Sequence, residues 1–318
     1  MTLKKKAIII FTVTVCAYVA LMIFATVYDL DISKKLADLR AGEYLSSNIF
    51  GRIFETIGEM PVYLISIFAL SVIIENLRRR ERKTILIIIY IILEFILLFI
   101  GYYAFRKLFK YLNNHFEFSA NLDWTAEIAY FVLALLVFAA VNYFAKKYSD
   151  NFLNSVMPWA IIVCATVILS QFITQIVIKI PAGRYRYCTM NVLDDFSKFT
   201  PWYKFNGKIV PTEEMLAVGI AKDGMKSFPS GHSCAAASLI ILTSLPIFYK
   251  KADNTAYKVV VWLTSVAYVV AVMVSRIIMG KHFLSDVLTG TFVTIACYCL
   301  CLFVGKKLFD GKLKISTL

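Results

Sequence analysis

Long, unbroken apolar runs, each bounded by charges or by Gly and Pro, dominate this chain and predict helices that cross a lipid bilayer. About 20 apolar residues suffice for one helical crossing. Eight such runs occur, at about Ala7–Tyr28, Pro61–Leu77, Ile85–Phe105, Trp124–Phe144, Pro158–Ile178, His232–Phe248, Val259–Ile278 and Phe283–Val304. Each is apolar around the whole helix, as spans in a bundle are. Barrel strands would alternate over roughly ten-residue segments, and no such alternation is present. The expected fold class is an all-α polytopic transmembrane bundle of about eight spans in one integrated membrane domain. Its N-terminal four-span part covers 1–157. There, residues 29–60 mix charge with apolar positions as an interfacial amphipathic helix does. Residues 158–318 form a second four-span part, with a long polar and aromatic loop over 181–228 that includes Phe199, Trp202, Tyr203 and Phe205. Loops of that length are usually functional.

Composition excludes a soluble domain. Mean hydropathy is +0.71, with 59% hydrophobic residues. Lys4-Lys5-Lys6 before an apolar run looks like a signal peptide, but the run is too long and no small-residue cleavage site follows, so it reads as a retained anchor. Of seven cysteines, Cys16, Cys164, Cys234, Cys297, Cys299 and Cys301 fall within spans and Cys188 in a loop. That is no disulfide framework. The net charge of +13 would suit nucleic acid, but the positive-inside rule is the more economical account, and no nucleic-acid partner is expected. With both termini cytoplasmic, the short loops holding Arg78-Arg79-Arg80, Arg82-Lys83, Lys146-Lys147, Lys250-Lys251 and Lys306-Lys307 lie inside. The expected location is a cell membrane, with Lys and Ile usage pointing to a bacterium.

Three short segments carry the candidate chemistry, and all fall on the same, outer side. Lys179 ends the fifth span, where Pro181 disfavours further helix, and Arg184 and Arg186 follow Gly183. A lysine point charge and an arginine fork suit phosphate oxygens. Gln171, Gln175 and Lys179, four residues apart, form a polar stripe on one helix face. Pro229-Ser230-Gly231-His232 opens the sixth span. Its helix start offers free N–H groups and a positive dipole end to an anion, Gly231 permits close approach, and Ser230 adds a hydroxyl. His232 stands where it can deliver a proton. In Ser275-Arg276-x5-His282-x3-Asp286, Arg276 ends one span and His282 opens the next, with Asp286 on the same face one turn later. Asp286 can accept from one imidazole nitrogen and leave the other as a nucleophilic lone pair. Two of the three histidines sit in these segments.

These segments resemble the signature of the type-2 phosphatidic acid phosphatase superfamily: Lys-x6-Arg-Pro, Pro-Ser-Gly-His and Ser-Arg-x5-His-x3-Asp. The second and third match fully, while Tyr187 stands in place of the first motif's proline. The signature covers Lys179–Asp286, so residues 158–318 are the expected catalytic core and 181–228 its active-site loop. The family's membrane members usually have six spans, which makes the third and fourth here the additions. The resemblance implies that Lys179, Arg186, Ser230, Gly231 and Arg276 bind phosphate. His282 would attack phosphorus to give a phosphohistidine, oriented by Asp286, and His232 would protonate the leaving oxygen and later activate water. Protein cations would replace a metal, so no metal or other cofactor is expected. The function so implied is hydrolysis of a lipid phosphate or diphosphate, such as phosphatidic acid or a polyprenyl diphosphate, at the outer membrane face. A lipid phosphotransferase using the same intermediate is the alternative. A transporter of an anionic solute is a third reading, motivated by Glu94 within an apolar run, but transporters place sites at broken helices near the midplane. Glu94 reads instead as a satisfied bundle carboxylate.

Overall fold

The structure, a computed structural model, describes residues 3–80, 84–116 and 124–313, with side chains at 3–11, 306 and 310–313 left out. Arg82-Lys83 and the side chains of Lys4-Lys5-Lys6 and Lys306 therefore lie outside the described residues. Among the described residues every regular element is helical: α1 (Leu3–Leu36), α2 (Ile49–Ile57), α3 (Met60–Arg79), α4 (Thr84–Phe116), α5 (Trp124–Ala145), α6 (Asp150–Phe172), α7 (Lys179–Ala182), α8 (Tyr187–Leu193), α9 (Glu213–Ala217), α10 (Gly231–Ala237), α11 (Leu245–Phe248), α12 (Thr255–Ile278) and α13 (Leu284–Leu313). Eight helical stretches among the described residues are long and apolar enough to span a membrane, one for each run in the sequence. Large apolar side chains such as Phe95, Trp124, Ile168 and Phe303 stand exposed, which suits a chain whose solvent is lipid.

Several boundaries differ from the sequence expectation. The fifth span starts at Asp150 rather than Pro158, because the Ser149 hydroxyl and carbonyl accept the Phe152 and Leu153 N–H groups and start the helix early. It also runs through Pro181 to Ala182. The sixth span is not one α-helix: α10 passes into a 3₁₀ stretch, Ser238–Ser244, before α11. Here Ser238, Thr243 and Ser244 donate to the carbonyls three residues earlier, and Pro246 supplies no N–H. Cys188, expected in a loop, is buried within α8. Asp29, expected to open the interfacial segment, lies within α1; the strongly amphipathic helix there is α2, capped by Asn48, whose Oδ1 accepts the Gly51 N–H. The seven cysteines form no disulfide among the described residues.

The chain gathers into two compact units. One comprises Met1–Glu55, Gln171–Cys234 and Val269–Val293; the other comprises Thr56–Ser170, Ala235–Tyr268 and Thr294–Leu318. The second unit has a core around fully buried Trp159, packed with Ala69, Val72, Leu153, Val156 and Ile241. The Trp159 indole N–H reaches Ser244 Oγ at 3.1 Å, so its one polar group is satisfied. Gly101 of α4 packs on Ala134 of α5, a small-on-small contact that lets spans approach closely. Glu94 accepts from Asn142 Nδ2 at 3.1 Å, which fits the bundle-carboxylate reading. Glu75 is held by Arg78 and, at 2.7 Å, by Arg79, which also reaches Asp150. All three motif segments belong to the first unit.

Candidate active site

The fifth span changes pitch before it delivers Lys179. Residues Ile173–Ile178 form a π-helical turn, the kind of interruption that often marks functional sites. Gln171 Nε2 and Thr174 Oγ1 both donate to Cys234 Sγ, at 3.4 and 3.3 Å. Gln175 lies so close to Gly231 that a Cβ there would fall 2.4 Å from its Nε2. The polar stripe thus packs on the start of α10, and Gly231's close approach is to Gln175. Lys179 is buried. Gly183 then reverses the chain with φ +52°, and any Cβ would strike the Gly207 carbonyl. Residues 184–186 pair with 224–227 through Arg186 N–H to Gly224 O and Ser227 N–H to Arg184 O, both 2.9 Å.

The two arginines of this stretch take different partners. Arg186 Nη2 bonds Asp223 Oδ2 at 2.8 Å, while its buried Nε has no hydrogen-bond partner among the described residues. The Arg186 guanidinium beside Asp223 holds that carboxyl well below the usual carboxylate range. Arg184 is buried, and its Nη1 donates to Asp286 Oδ1 at 2.6 Å while its Nη2 donates to Asp29 Oδ2 at 2.9 Å. It sits against the Phe283 and Phe199 rings.

In the second motif, the Ser230 hydroxyl is not left open: it accepts the Ser233 N–H at 3.3 Å, an ordinary helix cap. The Ser230 N–H donates to the Asp286 carbonyl at 2.9 Å and ties the second motif to the third. His232 is buried, and its Nε2 donates to the Glu55 carbonyl at 3.2 Å. A carbonyl only accepts, so this nitrogen carries the proton.

In the third motif, Arg276 ends α12 with Nη1 2.7 Å from Glu55 Oε1. Its buried Nε has no hydrogen-bond partner among the described residues. Gly280, at φ +62°, turns the chain into His282. The His282 contact differs from the sequence expectation. Nδ1 donates to the Ser227 carbonyl at 2.6 Å, whereas Asp286 Oδ2 is 3.6 Å away. The reason is local. Asp286 is the third residue of α13 and accepts the Phe283 N–H at 2.8 Å, the reciprocal half of a capping box, with the Ser227 hydroxyl on the same oxygen. The lone pair therefore sits on His282 Nε2. Burial of the ring, helped by Lys179, Arg276 and Arg186 against the pull of Asp286, holds the imidazole well below its ordinary pKa, so it is neutral.

All eight residues singled out from the sequence thus lie in one compact unit. Lys179, Arg186 and Arg276 are near enough to act electrostatically on His282, and Ser230 bonds to Asp286. Sequence reasoning missed Asp29, Glu55, Asp223, Ser227 and Ser285. Only Asp29 gave a signal, as a carboxylate beside the end of an apolar run. Among the described residues no three His, Cys, Asp or Glu side chains converge as metal ligands. Chemically, the site offers a neutral nucleophilic nitrogen, a second histidine and buried guanidinium donors with spare capacity. Residues 159–309 match the family model of the PAP2 superfamily, and no curated protein or solved structure matches the chain.

Proposed function

We propose, from a chain whose residues 159–309 match the family model of the PAP2 superfamily, that this membrane protein is a metal-independent phosphatase acting on a lipid phosphate or diphosphate. That superfamily generally comprises phosphatases. The observation that carries the reading is His282 with its Nδ1 proton given to Ser227 at 2.6 Å, beside two buried guanidinium groups whose Nε donors lack partners among the described residues. A neutral imidazole with one free lone pair needs no base to become a nucleophile, and unsatisfied buried donors are costly unless an anion takes them up.

In the proposed reaction the phosphoryl group is held by Lys179, Arg186 and Arg276, with the Ser230–Gly231 helix start. His282 Nε2 forms a bond to phosphorus while the bond to the leaving oxygen breaks, and that oxygen takes a proton from Nδ1 of His232, which enters the step as the imidazolium with its Nε2 proton on the Glu55 carbonyl. In the second step water attacks the phosphohistidine and His232 takes its proton, releasing phosphate and restoring His282. The eight spans allow the lipid tail to stay in the bilayer while its head reacts. The positive-inside rule, applied to the short basic loops, favours an extracytoplasmic site in a cell membrane.

The test is phosphate release by detergent-purified protein from phosphatidic acid, polyprenyl phosphates and polyprenyl diphosphates, in buffer containing a chelator. Release from at least one supports the proposal. Transfer of the label to an added alcohol but not to water would replace it with a phosphotransferase. No reaction with any substrate would return the transporter reading.

A further inference from the structure

The site's buried charges include two carboxylates that the family-matched residues do not supply, Glu55, which pairs with Arg276, and Asp29. Asp29, on α1, is 2% exposed and accepts the Ser285 N–H at 2.9 Å, the Ser285 hydroxyl, and Arg184 Nη2 at 2.9 Å. Through its other fork Arg184 reaches Asp286 Oδ1 at 2.6 Å, and Asp286 Oδ2 lies 3.6 Å from His282 Nδ1. Arg184 and Asp286 alone would form a neutral pair, and the guanidinium would cancel most of the carboxylate's effect on the imidazole. With Asp29 the three groups carry a net charge of −1.

That sign matters for the proposed reaction. When Nε2 gives its lone pair to phosphorus, the leaving oxygen departs with the bonding electrons, and the ring, still holding its Nδ1 proton, becomes cationic. Lys179, Arg276 and Arg186 oppose a cation there while they favour the phosphoryl oxygens. We infer that Asp29 is a positioning residue for His282: through Arg184 it leaves the Asp286 side of the site net negative, so the charge developing on the ring is stabilised. The first span would then be part of the catalytic unit and not a separable anchor. This rests on the reading of His282 as nucleophile.

The experiment measures single-turnover phosphohistidine formation in the full-length, detergent-purified protein. Asp29→Asn should slow formation about 10- to 100-fold with KM within about three-fold, because the lost charge acts on the developing cation and not on bound phosphate. Asp29→Glu, which keeps the charge, should recover most of the rate. Thr26→Val is the control for docking of α1: it removes the 2.8 Å bond from Trp202 Nε1 and should react like wild type. If Asp29→Asn is not recovered as monodisperse protein, Asp29→Ser carries the test, since it removes the same charge and leaves room for water beside Arg184, and the same slowing is expected. Wild-type rates in the variant measured would overturn the inference, as would equal losses in Asp29→Asn and Thr26→Val, or in Asp29→Asn and Asp29→Glu. Absence of phosphohistidine in wild type would instead overturn the underlying reading.

Discussion

Asp286→Asn separates two ways in which a carboxylate can serve a histidine. In triads where the carboxylate fixes the tautomer, its amide variant loses about 10⁴-fold in rate. Here the Ser227 carbonyl, at 2.6 Å from His282 Nδ1, does that work, so the tautomer should survive the substitution. What is lost is charge. A unit charge at 3.6 Å is worth about 4–5 kcal/mol at an effective dielectric near 20. Arg184, 2.6 Å from the other carboxylate oxygen but itself paired with Asp29 at 2.9 Å, offsets roughly half of that, leaving about 2–3 kcal/mol. The expected slowing of phosphohistidine formation is therefore about 30- to 150-fold. The substitution also leaves Arg184 with one carboxylate, so the protein will be less stable, and the assay must be single-turnover on monodisperse material. Loss beyond about 10⁴-fold in folded protein would mean that Asp286 sets the tautomer after all. Loss under about three-fold would mean that its charge does not reach the ring.

Three further outcomes follow from the same geometry. If His232 is the general acid, worth roughly 10²–10⁴-fold on a poor leaving group, His232→Ala should give one burst of nitrophenol per enzyme from nitrophenyl phosphate and then stall, but no burst from a lipid phosphate. Equal, burst-free loss on both would make His232 a phosphate binder. Because burial and neighbouring cations favour the neutral imidazole, the acid limb of phosphohistidine formation should fall well below the ordinary histidine pKa of 6.5; a limb at or above that value contradicts it. Finally, in a background lacking the native cysteines, Lys208→Cys should react with an impermeant thiol reagent in intact cells and Arg80→Cys should not, both positions being exposed. The reverse pattern would place the site in the cytoplasm.

The spans were legible because lipid demands twenty-residue apolar runs, and nothing else in the chain resembles them. The motif residues were legible because Lys179, Arg186, His232, Arg276 and His282 are expensive groups at the ends of such runs. The break in the sixth span was harder, since a run that is apolar all round does not reveal where serine hydroxyls and Pro246 will tighten the helix. The supporting shell was not legible, because it depends on contacts between distant stretches. Ser227 acts through its backbone carbonyl, which any residue would provide. Asp29 is about 250 residues from the Ser285 it binds, and an aspartate near the end of a span looks the same in sequence whether it is solvated or buried. Asp286 shows the limit of spacing: the one-turn separation from His282 is real, yet capping the helix that carries it draws the carboxylate away from direct contact with the imidazole.

The central claim is that His282 becomes covalently phosphorylated, and it can be read directly. Wild-type protein, quenched during turnover of a labelled lipid phosphate, should carry acid-labile, base-stable label that maps by mass spectrometry to His282. The label should be absent from His282→Ala and should accumulate in His232→Ala with a nitrophenyl ester. Turnover in wild type without trapped label, or label that persists in His282→Ala, would contradict the account.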